Sequence, residues 1–276
     1  MASTAELPGP DELDEQEQAA VEALLFALAD DECVLAERYT EWQVVSPTLE
    51  SDLALSNIAQ DELGHARLWY DLLQDFGYTE SELIFERDPA DFMHATLVEL
   101  PFEEGDWADA IVRGYLYDIA EQLRLEALRD TSYPRIADRI EKVIGEESYH
   151  REHAQNWLER LCDDSDGREH VQDAVDQLFP YALTLFEPTD HEEGIVDLGV
   201  RTESIDDLRE QWLDITVPFL ESLDVRVDSE KSIPDSHGRN GDHTEHWPEL
   251  HEDMTRTYRE LERTETHRIM KDPDDV

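Results

Sequence analysis

QDELGHARLWYDLL, residues 60–73, sets Glu62 and His65 three positions apart inside a segment whose apolar residues recur at helical spacing. Working outward, Leu55, Ile58, Glu62, His65, Trp69 and Leu72 fall on one face at alternating steps of three and four, so the carboxylate and the imidazole sit in the middle of an apolar stripe. A buried carboxylate is costly unless it is paired or bound to a metal, and a solvated helix would have turned Glu62 the other way. The motif alone carries no weight. With 70 acidic residues in 276, about three of the 11 histidines should follow a carboxylate at that spacing by composition, and three do: Glu62/His65, Asp91/His94 and Glu147/His150. Its phase carries the weight.

The same phase recurs in a second segment, where Ile140, Val143, Glu147, His150, Ala154, Trp157 and Leu161 form one stripe. Each segment is preceded by a helical pattern with a candidate partner carboxylate: Glu37 lies 25 residues before Glu62, and Glu121 lies 26 before Glu147. Measured from their shared turn, Glu121 and Glu147 stand about 15 and about 20 Å along the helices at ~1.5 Å per residue, so the four carboxylates could meet at one level. One Glu from each of two helices with Glu-x-x-His from each of the other two is the arrangement of di-iron carboxylate bundles, and mixed oxygen and nitrogen donors suit iron or manganese. On this reading Glu62 and Glu147 bridge or cap two metal ions, Glu37 and Glu121 are terminal ligands, and His65 and His150 bind one ion each. Asp61 and Glu146, each just before its motif Glu, are positioned to hold the second nitrogen of the opposite hairpin's histidine. The alternative is two buried Glu/His pairs that satisfy each other in a core.

The remaining pattern predicts an all-α chain. An acidic tail, residues 1–14, is expected to be flexible, and residues 15–276 form one domain: a four-helix core over 15–162 and a helical extension over 163–276. Helices are expected from about Glu15 to Val45, Leu49 to Phe76, Trp107 to Arg129 and Arg135 to Leu161, with residues 77–106 crossing between two hairpins. Later helices are expected at about Val171–Phe186, Ile205–Ser222 and Pro248–Met270. Asp91/His94 reads as surface loop, the histidines His237, His243, His246 and His251 as loop structure or a subunit contact in preference to a zinc site, since they lack thiolates, and Tyr39, Trp42, Tyr115 and Tyr117 as aromatic packing.

The formal charge of −48, from 70 acidic against 22 basic residues, disfavours nucleic acid and anionic membranes as partners. Only Lys142, Lys231 and Lys271 are lysine, a bias seen in proteins of organisms with molar internal salt, where a Debye length of roughly 3 Å screens the self-repulsion. No stretch has the ~20 apolar residues of a membrane span, and the start is unlike a signal peptide, so a cytoplasmic protein is expected. Cys33 and Cys162 are read as core thiols.

LAERYTEW, DLALSNIAQDELGHARL, YLYDIAEQLRLEAL, EESYHREHAQNWLERL and DHTEHW together resemble the PaaA/PaaC ferritin-like subunits of phenylacetyl-CoA epoxidase, and more closely the PaaC type. The resemblance implies a ferritin-like bundle that takes part in O2-dependent epoxidation of phenylacetyl-CoA in phenylacetate catabolism. It also implies two irons, a ferritin-like partner subunit and a flavin/iron-sulfur reductase as electron source. Glu37, Glu62, His65, Glu121, Glu147 and His150 would be the catalytic iron ligands, whereas familiar PaaC-type subunits have lost theirs. Arg67, Arg113 and Arg124 are candidates for the CoA phosphates. The competing readings are a scaffold subunit whose partner does the chemistry, and a ferritin-like iron-handling or peroxide-reducing protein.

Overall fold

The structure, a computed structural model, describes residues 6–43, 46–102, 105–228 and 233–261. Four long helices dominate: α1 (Glu15–Trp42), α2 (Leu49–Gln74), α4 (Trp107–Glu126) and α5 (Pro134–Cys162). Helix α1 packs along α2 and α4 along α5, which gives two hairpins. Among the described residues there is no strand, and no helix is long and apolar enough to cross a membrane.

Each start is written in local chemistry. The Asp14 carboxylate accepts from the Gln16 and Glu17 amides at 2.9 Å while Glu17 accepts from the Asp14 amide, a reciprocal capping box. Thr48 caps α2, Asp106 and Asp109 repeat the capping box on α4, and Pro134 opens α5. Chain reversal after α2 uses Gly77 at φ +98°, a conformation that a side chain disfavours.

Between the hairpins the chain runs through a π-turn at Glu82–Glu86, a 3₁₀ turn at Pro89–Asp91 and the short α3 (Thr96–Glu99). Beyond the bundle, α6 (Ser165–Ala182) covers α4 and α5, α7 (Glu192–Asp197) lies on α1, α8 (Ile205–Ser222) on α4, and α9 (Trp247–Glu260) reaches the crossover.

Three expectations need correcting. Helix α6 begins six residues early, because the Asp164 carboxylate accepts from the Asp166 and Gly167 amides and restarts the helix two residues after α5 ends. The stretch before α1 is not a free tail throughout: Leu7 is buried, and its amide donates to the Ser132 carbonyl at 2.7 Å. Third, His94 is fully buried, although its segment read as surface loop. The final helix is described only to Glu260, and the rest of its expected span, 262–270, lies outside the described residues.

His94 is buried because the late loop folds back over it. Its Nε2 donates to Glu99 Oε2 at 2.6 Å; on the same oxygen lies His243 Nδ1 at 2.9 Å, and the Thr244 amide reaches Glu99 Oε1 at 2.6 Å. The Gly238 backbone lies directly on the crossover, where a Cβ would stand 2.3 Å from the His94 carbonyl oxygen. Next to it Arg239 plunges into the bundle, donating to both Asp31 oxygens and to the Ala27 and Met93 carbonyls. Asp31 also accepts from Arg124 at 2.6 Å and from the Ala95 amide at 2.7 Å, so one buried carboxylate joins α1, α4, the crossover and the late loop. Burial pushes its pKa up, but Arg239 and Arg124 together outweigh that and hold it below the usual carboxylate value. Of the other late histidines, His237 pairs with Glu187 at 2.7 Å and His251 packs edge-on against Phe92 and Trp247, so the four do not gather around one point.

Candidate metal centre

At mid-height between the four long helices, polar side chains replace the apolar core. Helix α1 contributes Glu32, α2 contributes Glu62 and His65, α4 contributes Asp118 and Glu121, and α5 contributes Glu147 and His150, each at most 2% exposed. Ligand atoms of Glu32, Glu62 and His65 lie within 4.8 Å of one another, as do those of Glu62, Asp118, Glu147 and His150. The two groups share Glu62, and Glu147 Oε1 lies 3.3 Å from Nδ1 of both His65 and His150. The imidazole centroids are 6.3 Å apart.

The outer atoms of this cluster are tied down and the inner ones are not. His65 Nε2 donates to Glu146 Oε2 at 2.8 Å, and His150 Nε2 stands 3.4 Å from Asp61 Oδ2, each carboxylate coming from the opposite hairpin. Trp69 Nε1 donates to Glu32 Oε1 at 3.0 Å. By contrast Glu32 Oε2, both oxygens of Glu62 and of Glu147, Asp118 Oδ1, Glu121 Oε1 and Nδ1 of both histidines are buried with no hydrogen-bond partner. Native interiors rarely leave such groups bare, and here the bare atoms are the lone-pair donors facing a common centre. That donor set, oxygen-rich with one nitrogen per half, fits two hard or borderline divalent ions.

The electrostatics agree. Burial, reinforced by Glu147, pushes the Glu62 carboxyl up to about 7, and burial with the surrounding carboxylates drives Glu32 and Asp118 well above their ordinary values. Burial acts the same way on Glu147, but there the two imidazoles outweigh it and bring the group down to about 2. Against their own desolvation, His150 is pushed up to about 12 and His65 to about 9, chiefly by Glu147. The surrounding carboxylates thus favour the protonated form of both imidazoles.

Of the residues singled out by sequence, the structure brings together Glu62, His65, Glu121, Glu147 and His150, and sets Asp61 and Glu146 behind the histidines. It does not bring Glu37. That residue is partly exposed, with Glu41 as its charged neighbour, because five residues along a helix from Glu32 is about 140° around it. Glu32 stands where Glu37 was expected. Glu121 keeps one bare oxygen while Arg124 holds the other, and Asp118, which sequence reasoning missed, supplies the more open carboxylate on α4. The missed signal was the pattern already used on α2 and α5: Leu25, Leu28, Glu32, Leu35 and Tyr39 share a stripe, and Glu32–Glu62 and Asp118–Glu147 match in spacing at 30 and 29 residues. Arg113 and Arg124 are unfit for a CoA phosphate, since both are buried, the first donating to the Leu100 carbonyl and the second to Asp31 and Glu121. Arg67 is exposed. Both cysteines are buried free thiols, and Tyr39, Trp42, Tyr115 and Tyr117 are all core.

On the α4–α5 side a small cavity reaches the centre, lined by Tyr39, Leu55, Trp107, Gly114, Asp118 and His150 among others.

The sequence profile of the phenylacetic acid catabolic proteins, PaaA and PaaC, matches residues 4–265. The chain is 31% identical over 227 residues to the C-type subunit of 1,2-phenylacetyl-CoA epoxidase from Escherichia coli strain K12, covering 81% of this chain and 90% of that relative. It is also 27% identical over 191 residues to the A-type subunit of the same enzyme, covering 67% of this chain and 61% of that relative. With buried carboxylates and imidazoles gathered from four helices and a match across nearly its whole length, the chain belongs to the PaaA/PaaC family of phenylacetic acid catabolic proteins.

Proposed function

We propose that this chain is a metal-bearing subunit of an O2-dependent epoxidase that acts on phenylacetyl-CoA. Glu32, Glu62 and His65 would hold one iron and Asp118, Glu147 and His150 the other, with Glu62 within reach of both groups and Glu121 in reserve beside Arg124. The observation that carries this reading is the set of buried, unpartnered oxygen and nitrogen atoms that converge between α1, α2, α4 and α5. A subunit retained only for structure has no physical reason to keep them, because replacing each by an apolar residue would remove a desolvation cost.

Iron bound there supplies the redox chemistry: with two external electrons and two protons, one oxygen atom of O2 goes to the ring and the other to water. The protein's own part is positional. Glu146 and Asp61 hold each imidazole by Nε2, which leaves Nδ1 for the metal. Trp69 donates to one oxygen of Glu32 and so fixes the orientation of that carboxylate. Apolar walls from Leu55, Ile58 and Ile111 keep bulk water out of the approach. Electrons would come from a separate reductase, and a second ferritin-like subunit would complete the complex, as the naming of both relatives as subunits of one epoxidase suggests.

The test is reconstitution of the chain with a ferritin-like partner, a reductase and phenylacetyl-CoA. Glu32→Ala and His150→Ala should each abolish ring oxidation. Full activity in both variants would assign the chemistry to the partner and leave this chain a scaffold.

A further inference from the structure

The two hairpins repeat each other around the centre, but their side chains do not. Glu62 and His65 correspond to Glu147 and His150, a shift of 85 positions, and Glu32 corresponds to Asp118, a shift of 86. Carried along the same helices, these shifts pair Trp69 with Ala154, Leu28 with Gly114 and Leu24 with Ala110. Trp69, Leu28 and Leu24 are buried in the first half. Their three counterparts all line the cavity that reaches Asp118 and His150. On α4 and α5 the chamber is thus lined by alanine, glycine and alanine at the positions where α2 and α1 carry a tryptophan and two leucines.

We propose that the ring of the substrate is received on the Asp118/His150 half of the centre, and that Ala110, Gly114 and Ala154 set which ring fits. The inference rests on the reading of this centre as one that oxidises a ring. Two further observations point to a guest there. Asp118 is 2% exposed, lines the chamber and has an unpartnered oxygen, and His150 Nδ1 is likewise bare. Space is also tight: a Cβ on residue 114 would stand 3.2 Å from the Tyr39 hydroxyl and 3.9 Å from Asp118 Oδ2, so glycine there keeps a wall thin beside a ligand carboxylate.

As it stands the chamber measures about 20 Å3, enough for one water-sized guest. A ring needs a wall to move, and His153 is the side chain common to the chamber and the surface beyond it. It lines both the chamber and the surface groove formed with Tyr149, Trp157 and Arg160, and its Nε2 is buried without a partner. Turning His153 into that groove would join the two spaces and give the chamber an opening between α2 and α5. The groove also offers an indole stacked with a guanidinium, Arg160 lying 4.8 Å over Trp157, where the polar remainder of a ring-bearing thioester could rest.

The test uses the whole chain and fluorobenzene as probe, with binding followed by ¹⁹F NMR and metal content measured on the same samples. Ala154→Leu and Ala110→Leu should weaken fluorobenzene at least tenfold while two metal ions per chain are retained. Ala154→Gly should bind 1-fluoronaphthalene at least tenfold more tightly than the parent. Absent binding to the parent, or unchanged binding in folded Ala154→Leu, overturns the proposal; should the leucine variants fail to fold, an unchanged naphthalene affinity in Ala154→Gly overturns it instead. If ring binding follows position 154 but no iron is held, the chamber stands and the oxidising centre falls. If iron is held and ring binding ignores position 154, the reverse holds.

Discussion

Replacing Glu62 by glutamine should stabilise the metal-free protein and cripple the metal-loaded one. Glu62 is fully buried, its Oε1 standing 3.5 Å from His150 Nδ1 and neither oxygen making a well-formed hydrogen bond, and burial with Glu147 outweighs the imidazoles and pushes its carboxyl up to about 7 from an ordinary 4.5. A carboxyl that binds its proton more tightly when folded adds nothing to stability below pH 4.5 and subtracts increasingly as pH rises to about 7. The 2.5-unit difference corresponds to about 3 kcal/mol lost by pH 8 at ~1.36 kcal/mol per unit. Glutamine keeps the shape and removes the charge, so chelator-treated E62Q at pH 8 should melt about 6–12 °C above the parent, at ~2–4 °C per kcal/mol. Near pH 4.5 the two should coincide. Adding Fe(II) or Mn(II) reverses the order: the parent gains about 2.7 kcal/mol at a hundred times its Kd, whereas the variant lacks the anion shared by both ligand groups. Thermal melts at two pH values, with and without metal, read all four states. A metal-free variant less stable than its parent at pH 8 would refute the reasoning, because it would mean that Glu62 is satisfied within the protein.

Two further outcomes follow from the buried network around the late loop. Burial pushes Glu99 up, but hydrogen bonds from His243 and His94 outweigh it and hold the carboxyl at about 2, so its contribution is present above pH 4.5 and lost as pH falls towards 2, on the order of 3 kcal/mol in all. Acid titration of E99Q against the parent should show a shallower loss of stability over that window, and parallel curves would contradict it. Arg239→Met strips Asp31 of its bidentate partner and frees the Ala27 and Met93 carbonyls, which should cost about 3 kcal/mol and lower the melting temperature by about 6–12 °C even in high salt, where an exposed pair would already be screened. A change within 1 °C would show that the late loop is held by something else.

How much of this could be read beforehand follows from where each signal lies. Helices α2 and α5 expose one face, so a carboxylate and an imidazole inside their apolar stripes stood out, and Glu62, His65, Glu147 and His150 were legible. Helix α1 is buried on nearly every side from Ala20 to Ala36, so the stripe through Glu32 is one apolar face among several and does not single that residue out, whereas Glu37 matches the second hairpin by spacing alone. Asp118 was hidden for the same reason on α4, which is buried from Ala110 to Glu121. His94 was misread because its partners are remote in sequence: Glu99 is five residues on, but His243 and Thr244 are more than 140 away. Periodicity reports which way one helix faces. It is silent on a loop that returns from the far end of the chain. The early start of α6, by contrast, was written locally in Asp164 and could have been seen.

The most direct test of the account is metal counting on the chain purified alone in high salt, for the parent and for Glu32→Ala and Glu37→Ala. The account predicts two tightly held ions in the parent, two in the residue-37 variant and fewer in the residue-32 variant. No bound metal in the parent, or loss on changing residue 37 but not residue 32, would contradict it.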